Sequence, residues 1–257
     1  GRRRASTTGP GMCQTRTASA LTEFFFDIYL PIGAGASVML GSWHTPFALE
    51  IGKALVPPNM FSSRSYAFIA GPAKHVGLLT QFKLPLDPTR GHASLGFGIV
   101  SDWNSIDFGS GAGGPSFMLT GYWRSPDMRT WFDIEMMYGN GEDDFGDSKI
   151  IDGIARPRGG GSQYLALSSN NAYLDRFVGY VTATHTVDLR FMLLFESIYG
   201  YQEGGDLNPL PFAIVRDSAF YGANVGFRYK LSNRVHVGAR FEWFADENAA
   251  NVLWGGV

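Results

Sequence analysis

Cysteine is nearly absent: Cys13 stands alone among 257 residues. One thiol forms no internal disulfide and supplies no cysteine cluster to a metal. Charge is also scarce. Acidic and basic residues make up 17% of the chain, below the roughly 25% of an average soluble domain. The net charge of −2 leaves no electrostatic footprint for nucleic acid. The longest stretch without Asp, Glu, Lys or Arg, residues 28–49, has the length of a membrane helix. Pro31, Gly33, Gly35, Gly41, His44 and Pro46 within it argue for strand–turn–strand instead. Residues 1–20 form a polar segment expected to lack fixed structure. Its trio Ala18-Ser19-Ala20 resembles a cleavage site, but no apolar run precedes it, so it is not read as a secretion signal.

Catalytic and cofactor patterns are missing too. His44, His75, His92, His185 and His236 are scattered without metal-ligand spacing. No Ser-His-Asp arrangement stands out. The run Arg-Pro-Arg-Gly-Gly-Gly-Ser at 156–162 lacks the Lys-Ser/Thr of a phosphate loop. No enzyme, cofactor or metal centre is expected.

Glycine and aromatics are abundant instead, with 33 glycines and 14% aromatic residues. They sit in a repeated pattern. In residues 234–244, Val235, Val237, Ala239, Phe241 and Trp243 alternate with Arg234, His236, Gly238, Arg240 and Glu242. Period two is the signature of a strand with two unlike faces. The same alternation recurs near 21–30, 36–43, 74–84, 92–103, 115–124, 128–139, 173–184, 187–200 and 218–230. Ten strands of about 10 residues suit tilted crossings of a bilayer.

The connections decide which face looks inward. Short turns at 31–35, 86–91, 125–127, 184–186 and 231–233 alternate with long loops at 44–73, 104–114, 140–172 and 201–217. That alternation marks an outer-membrane barrel, with periplasmic turns and extracellular loops. A soluble β-sandwich has no reason to keep it in phase. The expected fold is therefore an all-β, transmembrane, antiparallel up-and-down barrel over residues 21–257. Its apolar faces meet lipid. Trp123 and Tyr229 near the short turns, and Tyr138, Tyr199 and Trp243 near the long loops, are expected to form aromatic girdles.

Phase also assigns the pore lining: Arg124, Asp133, Glu135, Asp188, Arg190, Glu196, Arg228, Lys230, Arg240 and Glu242, with Glu23, Asp27, Lys83 and Asp102. The signs nearly balance, so weak ion selectivity is expected. Residues 44–73 form a 30-residue connection broken by Pro57-Pro58. As a constriction loop it would bring Glu50, Lys53 and Arg64 to the lumen; the alternative is an outward loop or a kinked strand. Glu142, Asp143, Asp144 and Asp147 gather on one long loop. They read first as a solvated face, and secondarily as a weak oxygen-donor cation loop.

The stretch 40–84 resembles the β-barrel porin-2, OmpL-like family of bacterial outer membranes. The resemblance rests on Gly41, Thr45, Pro46, Phe47 and Glu50, on Asn59 with Ser63-Arg64-Ser65-Tyr66, and on His75 and Gly77 opening a strand. Residues 240–247, Arg-Phe-Glu-Trp-Phe-Ala-Asp-Glu, are similar to a strand end near that family's carboxyl terminus. The resemblance implies a passive pore in a Gram-negative outer membrane and no catalytic residues. The family continues past this strand, so it also implies that the barrel is incomplete at the end of this chain. Partners implied are lipid, lipopolysaccharide and small hydrophilic solutes or ions, with a homo-oligomer or outer-membrane complex in view. A closed structural barrel that scaffolds a partner is the alternative function.

Overall fold

The computed structural model describes residues 23–50, 61, 63–72, 74–101, 115–141, 149–151, 154–156, 174–202 and 218–247. The strands are β1 (Phe24–Leu30), β2 (Ala36–His44), β3 (Lys74–Lys83), β4 (His92–Val100), β5 (Ser116–Arg124), β6 (Thr130–Gly141), β7 (Lys149–Ile151), β8 (Ile154–Arg156), β9 (Leu174–Thr186), β10 (Phe191–Gln202), β11 (Ser218–Lys230) and β12 (His236–Asp246). A five-residue helix, α1 (Tyr66–Ala70), and a 3-10 turn at Pro88–Arg90 complete the described elements. Ten strands form one sheet in the order β1-β2-β3-β4-β5-β6-β9-β10-β11-β12, and β7 pairs only with β8. Every neighbour in the large sheet pairs antiparallel. This is the expected up-and-down order. Among the described residues no pairing joins β1 to β12, so the sheet is not closed.

The period-two pattern explains the two faces. Leu95, Phe97, Ile99, Phe117, Leu119, Leu193, Phe195 and Val225 are exposed. Between them in sequence, Thr120, Glu135, Glu196 and Asn224 are buried. An apolar outside around a polar inside is the inverse of a soluble sheet and suits lipid. Tyr221 and Tyr229 of β11 both lie on the outer phase. Eight residues of strand, ~26 Å, separate them, or about 20 Å along the normal at the usual tilt.

The sheet is strongly curved. Three consecutive residues, Ala48, Leu49 and Glu50, bond to Glu135 of β6, Glu196 of β10 and Arg240 of β12. Laid flat, β6 and β12 would be about 19 Å apart. Two residue steps of chain span about 7 Å at most. Even with the reach of the Glu and Arg side chains added, bonds from adjacent residues to strands four places apart in the sheet suit a wall curved around residues 48–50. Glycine permits a tight bend early in the wall. Gly41 and Gly77 face each other across β2 and β3. At Gly41 φ is +138°, and an added Cβ would meet Phe24 O at 2.1 Å. Only glycine tolerates both conditions.

Candidate functional site

The described parts of the long connection after β2 lie against the concave face. Phe47 and Ala67 are buried in one cluster with Met118, Met137, Val178 and Tyr180 of the wall. The inner face thus has an apolar zone near the long-loop ends of the strands, and these residues fill it.

Below that zone, wall carboxylates hold the connection by its backbone. Glu135 Oε2 accepts from Ala48 N at 3.1 Å, and Glu196 Oε1 accepts from Leu49 N at 2.9 Å. Glu242 Oε1 accepts from Tyr66 N at 2.5 Å. Glu50 folds back on the same segment: its Oε2 accepts from Ser65 N at 2.7 Å, and its Oε1 accepts from Arg240 Nη1 at 2.8 Å. Asn224 Nδ2 donates to Glu196 Oε2, and Tyr180 OH donates to Ala67 O at 2.9 Å. Buried carboxylates are stable only when hydrogen-bonded, and charge-assisted bonds are the strong ones. Glu135 and Glu196 are each 1% exposed, so their bonds to the segment satisfy a need of the wall as well. Ala48 takes a left-handed conformation, φ +70°, which aims its N–H at Glu135.

Local sequence builds this shape. Ser65 caps α1: its Oγ accepts from Phe68 N at 3.0 Å, the usual task of serine at a helix start. Gly71 ends the helix, and an added Cβ there would sit 1.8 Å from Tyr180 OH. Thr45 Oγ1 and His75 Nε2 approach to 3.0 Å and pin the segment to β3. Phe61 lies over Gly226 and Gly238, where added Cβ atoms would meet its ring at 3.1 and 3.3 Å.

On the short-turn side of the segment lies a cavity of about 520 Å³. Its charged lining is Glu50, Asp133, Glu135 and Glu196 against Arg124, Arg129, Arg228 and Arg240. Arg124 forms a two-pronged ion pair with Asp133. It also sits over the Trp131 ring, 4.7 Å from its centroid. Arg228 Nη2 approaches His236 Nδ1 to 2.6 Å.

The phase-assigned residues fall as follows. Arg124, Asp133, Glu135, Glu196, Arg228, Lys230, Arg240 and Glu242 lie on inner-phase positions of their strands. Asp188 and Arg190 do not lie in a strand. Asp188 Oδ1 accepts from Arg190 N at 2.6 Å and Phe191 N at 2.8 Å. That cap delays the start of β10 to Phe191, so both residues belong to an exposed turn. Glu50 is buried, and Arg64 stacks on Phe68 at 4.7 Å. Trp123, Tyr138, Tyr199, Tyr229 and Trp243 all take the outer phase. Lys53, Asp102, the acidic group Glu142, Asp143, Asp144 and Asp147, and residues 1–20 lie outside the described residues. Sequence reasoning missed Ser65, Tyr180 and Asn224. Asn224 had a signal, its inner phase beside Arg228. Tyr180 had only its phase, and Ser65 its place in the Ser63-Arg64-Ser65-Tyr66 run and a spacing of three to Phe68.

Residues 3–256 match the family described as Putative beta-barrel porin-2, OmpL-like. No curated protein and no solved structure matches the chain. The chain belongs to the OmpL-like β-barrel porin-2 family, and its ten-stranded antiparallel sheet is that of an outer-membrane porin-type barrel.

Proposed function

We propose that this family member provides a passive, weakly ion-selective path for small hydrophilic solutes across the bacterial outer membrane, narrowed by the segment that follows β2. Family membership supports a porin role and an outer-membrane location. The observation that carries the finer reading is the cavity of about 520 Å³ with four acids and four arginines in its wall. Mixed signs at close quarters hold water and ions but favour neither sign strongly. Glu50 and Arg64 are the constriction residues of this reading, with Lys53. Lipid and lipopolysaccharide surround the barrel, and a channel of this kind needs no catalytic group.

One observation favours the closed structural barrel. The segment is tethered at three backbone amides to Glu135, Glu196 and Glu242, which suits a permanent plug. Single-channel recording of the refolded chain in planar bilayers separates the two. Discrete steps that scale with salt support the pore. Silence from a barrel with heat-modifiable gel mobility supports the plug.

A further inference from the structure

Four of the five short connections repeat one device. Each has an oxygen that caps the turn's own backbone, followed by an arginine. Asp87 Oδ1 accepts from Thr89 N at 2.8 Å, and Arg90 follows. Asp127 Oδ1 accepts from Arg129 N at 3.1 Å. Asp188 Oδ1 accepts from Arg190 N, and Ser232 Oγ accepts from Arg234 N at 3.2 Å. The acids are thus engaged within their turns, while all four arginines are exposed. Arg129 keeps a 3.8 Å contact with Asp127. Arg90, Arg190 and Arg234 have no side-chain partner among the described residues.

The same turns carry exposed aliphatic side chains. Leu86, Leu189 and Leu231 are exposed, Leu189 by 97%. They lie in sequence just beyond the ends of lipid-facing rows on the adjoining strands: Leu78 and Phe82, Leu193 and Phe195, Phe227 and Tyr229. Trp123, on the outer face, donates its indole N–H to Arg90 O at 3.0 Å. That bond sets Arg90 at the level of the aromatic girdle, where headgroups lie.

We propose that the short-turn rim binds anionic phospholipid headgroups, with Arg90, Arg190 and Arg234 on the phosphates and Leu86, Leu189 and Leu231 in the adjoining acyl region. The proposal rests on the outer-membrane barrel reading. A guanidinium forks onto a phosphate through two N–H groups. The leucines choose the occupant. A soluble acidic protein would account for the arginines but not for an exposed leucine in each of these turns beside the lipid-facing strand ends. Lipid accounts for both, with the basic heads reaching toward the interface from apolar stems.

The test uses the refolded chain in vesicles of phosphatidylcholine with or without phosphatidylglycerol. A variant keeping Trp123 and replacing the other five of the six tryptophans by Phe reports quenching by brominated lipids at the rim. Brominated phosphatidylglycerol is expected to win over brominated phosphatidylcholine by at least about threefold at low salt. The preference should fade as salt rises to ~0.5 M. R90Q/R190Q/R234Q should abolish it. In the unaltered chain, native mass spectrometry should show more phosphatidylglycerol than phosphatidylcholine retained after delipidation. Equal quenching in the folded single-tryptophan chain, or a preference that survives the triple variant, overturns the proposal. So does tight binding of soluble polyglutamate without any lipid preference, which would assign the rim to an acidic protein. Loss of heat-modifiable mobility and of vesicle insertion would instead count against the barrel reading itself.

Discussion

Gly71 shows how a single side chain can be required to be absent. Tyr180 is buried and its hydroxyl donates to Ala67 O, one turn before Gly71. An alanine methyl at 71 would stand 1.8 Å from that hydroxyl oxygen. Gly71→Ala should therefore destabilise the barrel by about 1–3 kcal/mol, the usual range for overpacking. Tyr180→Phe alone should cost about 1 kcal/mol for the lost hydrogen bond. Together they should cost less than the sum, because removing the hydroxyl removes the nearest clash. Urea titration of folded fraction on gels, run as a double-mutant cycle, checks this. Strict additivity would show that the two positions do not meet. The turn caps make a second prediction at this scale. Hydrogen bonds from the Thr89 side chain and backbone hold Asp87 below the usual carboxylate value of 3.8. Hydrogen bonds from Ser125 Oγ and Arg129 N do the same for Asp127. A depressed folded value means stability that is present above pH 3.8 and is lost as pH falls through the folded values. Asp87→Asn with Asp127→Asn should flatten that acid limb of the stability profile. A variant with an unchanged limb would remove these caps from the account.

At the scale of elements, the strands were legible because their physics is short-range. Alternation needs only neighbouring residues, and all ten strands lie where period two puts them, within a few residues at either end. The start of β10 is the instructive difference. Asp188 and Arg190 keep the inner parity of β10, yet Asp188 turns its carboxylate onto the backbone and ends the pairing there. Parity cannot distinguish a wall acid from a cap. The segment after β2 was less legible for a different reason. Its place depends on partners 87, 147 and 176 residues away, and no local period encodes those. What the sequence did carry was the supply: carboxylates on inner-phase positions, and a long connection, apolar in places, able to reach them. If the tethers hold the segment in the conduction path, Glu135→Ala with Glu196→Ala should loosen it. Each lost charged bond is worth about 1.5–3 kcal/mol to the tether. Single-channel conductance should rise at least about twofold, with noisier open levels, while heat-modifiable mobility is kept. A folded double variant with wild-type conductance would place the segment outside the path.

At the scale of the whole molecule, function depends on which charges an ion meets unneutralised. Arg124 is paired with Asp133, and Arg240 with Glu50 and Glu242. Glu135 and Glu196 face backbone amides and Asn224 rather than cations. Arg228, at the short-turn end of the cavity, faces only the His236 ring among the described residues. On the proposed path, an ion entering from that end meets basic side chains first, Lys230 and the half-buried Arg228, and two shielded acids deeper in. Arg228 lies four residues, ~13 Å, along β11 from Asn224, the register partner of Glu196, so such an ion meets the two signs in succession. Their fields offset over the length of the path, and neither sign dominates. The wild-type permeability ratio of potassium to chloride should thus stay within about threefold of one, with reversal potentials near zero in a salt gradient. Arg228→Glu reverses one entry charge without touching the segment's tethers. It should move the reversal potential toward cation selectivity and leave conductance of the open state close to wild type. Strong selectivity in the wild-type channel, or an unmoved reversal potential in the variant, would mean that the ion path does not run through this cavity.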